Sequence, residues 1–439
     1  MDLRWGRASL STVIFFVMLT AGTCQERTFK TSMERIRDAG WRGEEHKVVT
    51  EDGYILTVFR IPPQKSPSEE TEGSDDGPIG RVTSFLTGIA SRIMGNDDDN
   101  EAGDRDSREP RRRLPVLVQH GIFLSSDGFL VDSDGLAFVL AREGWDVWLG
   151  NARGNAYSRA HILLNPSGSK FWDFSWHEMG TKDLPAMIDY VLSRTGRRQL
   201  HYIGHSMGST VFFVMGAMLP RYNRRVRTMV SLSPIGRMTK WHFAMHNNSL
   251  LYSLMMSEYA RLITEEKMEF LPREDLKGTS NNQVLCWDVL INFALTCEFI
   301  IRMGRYLIKD SSQPAGISIN TGNHFIQNIG SASFRPFDYR DTEKNMKVWG
   351  ESPPPEYPLE RIRAPVAIFY TAGDELISEQ DAEYMISKLP NVIRVWKTSW
   401  PMFSHFDFTF TTVPTSLHKR REMHQEVLSI LEERDSFRL

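Results

Sequence analysis

A serine set between two glycines, G-H-S-M-G at residues 204–208, is the first pattern whose residue types could do chemistry. Ser206 becomes a nucleophile if a base takes its proton and an acid orients that base. The five-residue pattern alone arises by chance, so its flanks decide. "LHYI" before Gly204 reads as a strand, and "MGSTVFFVMGAML" after Ser206 reads as a helix. A strand–turn–helix places the serine Oγ at the carboxyl edge of a sheet and at a helix N-terminus, where a developing anion is favoured. So tight a turn leaves no room for bulky neighbours, which gives Gly204 and Gly208 steric roles. His205 is expected to point away from Ser206 and to serve in packing.

Twelve histidines compete as the base. Elbow-borne serines of this type are followed in the chain by the acid and then by a histidine on a late loop. His405, in "WPMFSHFDF", follows the strand-like "NVIRVWKT" and precedes the final helix; His418 and His424 fall within or beside that helix and are discounted. The acid belongs just past a late core strand, and "APVAIFYTAGDELIS" puts Asp374 there. Its task is to accept the histidine Nδ1–H and stabilise the imidazolium. Glu375 is a near rival and Asp407 a weaker one. Two N–H donors are needed for a tetrahedral oxyanion. Met207, next after the nucleophile, supplies one, and Ile122, in the loop after "PVLVQ", supplies the other.

Other chemistries fail on residue type. "WHEMGT" starts like a zinc-binding H-E-x-x-H, but Thr181 stands where the second histidine is required. No phosphate-binding loop with G-K-[S/T] occurs, and neither cofactor nor metal is expected. A net charge of -3 over 439 residues gives no reason to expect nucleic acid as a partner.

The elements around these residues read as an α/β protein. Residues 25–63 contain a β-hairpin, "HKVVT" and "YILTVFRI" joined by "EDG". "LPVLVQHG", "DVWLGN", "QLHYIGH", "VRTMVSLSP", "APVAIFYT" and "NVIRVWKT" are short apolar strands. "DLPAMIDYVLSRTG" is a helix with Leu184, Met187, Ile188 and Val191 on one face and Gly196 at its C-cap. Such alternation predicts a mostly parallel central sheet with helices on both faces, in two parts, residues 114–233 and 358–439. Between them, 234–357 breaks the alternation and is dense in Met, Phe, Trp, Leu and Tyr, the pattern of a largely helical insertion.

Two further segments stand apart. Residues 1–24 carry Arg4 and Arg7, then "STVIFFVMLTAG" and small residues, the form of a signal peptide; the run is shorter than the about 20 apolar residues that span a membrane. No other run is long and apolar enough to span. Residues 64–113 are rich in acidic, Ser and Gly residues and read as a surface insertion. Within it, Val82, Phe85, Leu86, Ile89 and Ile93 share a helical face. That face suits a short helix on the protein body or an interfacial one touching lipid, and the flanking acidic runs favour the first. Cys24 would leave with the signal peptide. The remaining Cys286 and Cys297 pair naturally as a disulfide in an oxidising compartment, the alternative being two buried thiols. Asn247-Asn248-Ser249 is an N-glycosylation sequon.

Many ordered blocks, among them "EEHKVVTEDGYIL", "VLVQHGIFLSSDGF", "DVWLGNARGNAYSRAH", "FWDFSWHEMGTKDLPAMIDYVL", "YIGHSMG", "NHFIQNIGSASFRPFDY" and "SHFDF", resemble the acid lipase family of α/β-hydrolases. The resemblance runs through most of the mature chain. It implies an α/β-hydrolase fold whose helical insertion is a cap with a mobile lid. It also implies a secreted or lysosomal enzyme that hydrolyses neutral-lipid esters, triacylglycerols or cholesteryl esters, at an oil–water or membrane interface. It assigns the triad to Ser206, Asp374 and His405, the oxyanion donors to Ile122 and Met207, and a disulfide to Cys286 and Cys297. Three features depart from the family: Met207 where Gln is usual, the acidic insertion before Leu114, and the residues following Asp374. An esterase or acyltransferase on other esters, and a lipid-binding protein without catalysis, are the rival readings.

Overall fold

The computed structural model describes residues 30–64, 113–240, 268–270, 315–411 and 414–436. The leader expected at 1–24, the apolar face expected at 82–93, Asn247, Cys286 and Cys297 lie outside the described residues. The chain divides into one unit of residues 1–62 and 114–439 and another of 63–113. The described elements belong to the first.

Helix α1 (Ser32–Asp38) opens on a capping box, in which Thr31 accepts from the Glu34 N–H and Glu34 answers to the Thr31 N–H. Strands β1 (Glu44–Val49) and β2 (Tyr54–Ile61) form an antiparallel pair. There follow β3 (Val116–Gln119), α2 (Leu136–Arg142), β4 (Val147–Gly150), the short β5 (Ala160–His161), α3 (Leu184–Thr195), β6 (Leu200–His205), α4 (Met207–Met218) and β7 (Val226–Leu232). The two-residue strands β8 (Glu269–Phe270) and β9 (Ile317–Ser318) pair with each other, and α5 (Ile319–Ser331) and α6 (Thr342–Trp349) come next. The chain closes with β10 (Val366–Thr371), α7 (Glu379–Lys388), β11 (Val392–Thr398) and α8 (Leu417–Ser436).

The main sheet runs β1-β2-β4-β3-β6-β7-β10-β11, with β5 beside β2. From β4 to β11 every pairing is parallel, and β2 alone joins that block antiparallel. Side chains alternate between two cores, as a strand's period of two requires. Leu117, Trp148, Tyr202, Met229 and Ile368 face α3, α4 and α7. Val118, Leu149, Ile203, Val230 and Phe369 face α2 and α8. Helix α4 is buried along nearly its whole length, which its almost uninterrupted apolar sequence permits.

Register places the strand ends. Ile61 pairs with Val147, the first residue of β4, so β2 ends at the amino edge of the parallel block. Strand β3 begins at that same edge, with Val116 beside Val147. The ends of β3, β6, β7 and β10 all emerge at the opposite, carboxyl edge. Residues 234–240 also leave from there, and α5 returns to pack on the core by stacking His324 on Trp176, with ring centroids 3.5 Å apart.

The loop after β4 is tied down by a buried cation. Arg153 is 1% exposed. Its Nε donates to Asp183 at 2.6 Å, its backbone N–H donates to the same carboxylate at 2.9 Å, and its Nη1 and Nη2 donate to Asp52 at 2.7 and 3.0 Å. Its guanidinium also lies 3.9 Å from the centre of the Tyr54 ring. Asp183 ends a π-helical turn, Met179–Asp183, that leads into α3. Removing one partner of a buried pair leaves a charge uncompensated, at a cost of about 3–5 kcal/mol. Asp183→Ala should therefore cost about that much in urea unfolding, and Asp52→Ala, at the more exposed end, about 1 kcal/mol. Equal losses would mean that Asp183 is not the principal counter-charge.

Candidate active site

Ser206 sits between β6 and α4 with φ 55° and ψ −119°, a backbone conformation that non-glycine residues seldom adopt. Its N–H donates to Leu232 O in β7 at 2.9 Å, and its C=O accepts the Ser209 N–H at 2.8 Å. The turn needs its glycines. A Cβ on Gly204 would come within 2.5 Å of Gly208 O, and one on Gly208 within 2.4 Å of Gln119 O. The clashing atoms are backbone, which cannot swing aside. Ser206 is 1% exposed, and its Oγ makes no hydrogen bond among the described residues.

Asp374 and His405 meet directly. His405 Nδ1 donates to Asp374 Oδ2 at 2.9 Å. Asp374 Oδ1 accepts the N–H groups of Leu376 and Ile377 at 2.8 and 3.1 Å. Burial opposes ionisation of this carboxyl. The positive imidazole it would face, the hydrogen bonds from His405 and Ser233, and the Ile377 N–H outweigh burial and hold its pKa below the ordinary carboxylate value. The rival acids have other work. Glu375 Oε2 accepts the backbone N–H of His405 at 3.0 Å, and Asp407 Oδ2 caps the turn by accepting from Ser404 N and Oγ at 2.8 and 2.7 Å. His418 and His424 lie in α8.

His205 does more than pack. Its Nε2 donates to the backbone C=O of His405 at 2.9 Å, so the residue before Ser206 holds the loop that carries His405. Burial, then the neighbouring His405, lowers its pKa to about 3, so it stays neutral. His120 plays a matching part on the other side. The Ala152 N–H donates to its Nε2 at 3.1 Å, which fixes the proton on Nδ1, and Nδ1 donates to Gly121 O at 2.8 Å. Burial takes its pKa down to about 4. The loop so held runs close to the elbow, because a Cβ on Gly121 would lie 3.0 Å from Ser206 Cβ. Ile122 follows Gly121 directly. Met207 opens α4, where the first backbone N–H groups have no partner within the helix. The Ala315 N–H donates to Phe123 O at 2.8 Å and joins the chain before β9 to this same loop.

Met207 lines a small cavity together with Gln119, His120, Ala152, Met179, Asp183, Met187 and Val211. Gln119 Oε1, also buried, has no hydrogen-bond partner among the described residues.

Sequence reasoning missed the links made by Ser233, His120, Glu375 and the His205 ring. Ser233 follows β7, with φ 53°. Its Oγ donates to Asp374 Oδ2 at 2.5 Å and lies 2.8 Å from His405 Nδ1. Its position just past a core strand, at the carboxyl edge, was the one available signal. The arrangement offers a shielded hydroxyl, an oriented imidazole with a buried carboxylate behind it, and a loop and a helix start close to that hydroxyl.

Comparison with known proteins bears on the family and the fold. Residues 115–399 match the family described as alpha/beta hydrolase fold, and residues 32–133 match the partial alpha/beta-hydrolase lipase region. The chain is 34% identical over 403 residues to Lipase 1 of Drosophila melanogaster, covering 89% of this chain and 77% of that one. It is 30% identical to Lipase 3 of the same organism, over 96% of this chain and 98% of that one. To the gastric triacylglycerol lipase of Bos taurus it is 29% identical, over 90% and 89% of the two chains.

The buried neutral histidines bear on stability. An unfolded histidine takes a proton near pH 6.5, whereas His120 and His205 resist one down to about 4 and 3. Between those values the unfolded chain binds more protons, so stability falls as pH falls, by up to about 1.4 kcal/mol per pH unit for each ring. Thermal unfolding followed by circular dichroism should show Tm dropping steadily from pH 7 to 4.5. A flat profile would contradict the neutral assignment.

Proposed function

This chain belongs to the acid lipase family of α/β-hydrolases, and from that premise we propose that it hydrolyses ester bonds of neutral lipids through Ser206, His405 and Asp374. The observation that carries the reading is the 2.9 Å bond from His405 Nδ1 to a buried carboxylate, on a loop held at 2.9 Å by the ring of the residue before Ser206.

In this mechanism His405 Nε2 takes the Ser206 proton as Oγ attacks the ester carbonyl. Asp374 keeps the imidazole proton on Nδ1 and stabilises the imidazolium. The Ile122 and Met207 N–H groups receive the oxyanion; only the backbone of Met207 is needed, so the change of side chain leaves the chemistry open. The imidazolium returns its proton to the leaving alcohol as the acyl-enzyme forms. A water activated by His405 then releases the fatty acid. Triacylglycerols are the first substrate class, supported by the gastric relatives' names, with cholesteryl esters second. No described helix is long and apolar enough to cross a membrane. The leader-like residues 1–24 and the gastric relatives support passage through the secretory pathway, with release or lysosomal delivery as its end.

Purified wild type should hydrolyse a triacylglycerol emulsion and react covalently with a fluorophosphonate. Ser206→Ala should lose at least about a thousandfold in kcat and all labelling. Equal activity in the two proteins would sink the nucleophile. Labelling of wild type without turnover of long-chain esters would point instead to an esterase for other substrates.

A further inference from the structure

We propose that Ser233 is a positioning residue that fixes the proton of His405 on Nδ1, an inference that rests on the triad reading above. Three atoms form a closed triangle: Ser233 Oγ to Asp374 Oδ2 is 2.5 Å, Ser233 Oγ to His405 Nδ1 is 2.8 Å, and His405 Nδ1 to Asp374 Oδ2 is 2.9 Å. All three residues are essentially buried, so water does not substitute for any side of it.

The proton inventory decides what the triangle does. An ionised carboxylate only accepts, and a serine hydroxyl has one proton to give. The 2.5 Å side takes that proton, so Ser233 O–H donates to Oδ2. The lone pairs of Oγ and the carboxylate oxygen then both face Nδ1. An Nδ1 without hydrogen would meet two acceptors and no donor. An Nδ1–H meets a forked pair of acceptors. The hydroxyl therefore selects the tautomer with a bare Nε2, the atom that must take the proton of Ser206.

The backbone shows that the hydroxyl is held in place. Ser233 has φ 53°, a left-handed conformation outside the common range for serine. Its N–H donates to Phe369 O in β10 at 2.8 Å, which ties the end of β7 to the strand that leads to Asp374. Hydrogen bonds between strand ends thus aim Oγ at the pair, and Pro234 follows directly.

Two variants separate this role from a structural one. Ser233→Ala removes the hydroxyl and keeps the Cβ. Ser233→Gly also removes it and suits φ 53° better than serine, so it keeps the fold even if the alanine variant does not. With a soluble short-chain ester, each folded variant should lose roughly tenfold or more in kcat, the worth of a hydrogen bond to a charged group, with KM within about twofold. The rate of fluorophosphonate labelling should fall in parallel, and the downfield Nδ1 proton resonance of His405 should move. A folded variant that keeps kcat within about twofold overturns the role, as does a rise in KM at unchanged kcat. Ser206→Ala serves as the separate arm. If it is labelled like wild type, the triad reading fails; if wild type is labelled and Ser206→Ala is not, a result with the Ser233 variants judges Ser233 alone.

Discussion

One residue in an uncommon backbone conformation organises the carboxyl edge of the sheet. Ser206 at φ 55° costs on the order of 1–3 kcal/mol relative to a relaxed conformation, and such a residue persists only where its surroundings over-determine it. Here the surroundings are specific. The Ser206 N–H is committed to Leu232 O, the Tyr202 hydroxyl and the Ser209 hydroxyl donate to Gly208 O and Gly204 O, and Gln119 presses against Gly208 from β3. Strands β3, β6 and β7 must therefore be in register before the elbow can form. The same register brings Ser233 beside Asp374, and the His205 ring, carried on the elbow itself, reaches the His405 loop. The placement of the His405 loop thus depends on the turn that holds Ser206.

The second constraint is polar burial. The site buries Asp374, His405, His205, His120 and Ser233, and each finds a partner in another element. The neutral ring of His120, bonded at both nitrogens, fixes the loop before Ile122, and that of His205 reaches the loop around His405 through Nε2. Arg153 does the same for the loop after β4, with charge in place of neutrality.

Much of this was legible in the chain because it is local. Period-two and helical spacing marked β2, β6, β10, α3 and α4. Steric need marked Gly204 and Gly208. Chain order marked Asp374 and His405, which the fold brings within 2.9 Å. What escaped reading is what depends on strand neighbours. Strand β7 lies beside β10, although the whole segment from 234 to 357 separates them in the chain, so nothing near Ser233 announces Asp374 as its partner. His205 looked like filler because its acceptor is a backbone carbonyl 200 residues away, and a carbonyl leaves no mark in a sequence. Asp374, Glu375 and Asp407 likewise differ in which atom each reaches: the His405 ring, the His405 N–H and the Ser404 N–H. The capping box at Thr31 was different: its T-x-x-E signal was present and local.

The places where the chain leaves the sheet carry a consequence for how such a protein can diverge. Strand β2 ends and β3 begins at the amino edge, the far side of the sheet from Ser206. A segment grafted between Pro62 and Leu114 changes the connection at that edge, whereas the strand ends that hold the triangle and the elbow lie at the carboxyl edge. A segment grafted after β7 starts one residue past Ser233, on the working side. Mutation therefore has two ports into this fold with unequal stakes. The acidic stretch is joined at the amino-edge one.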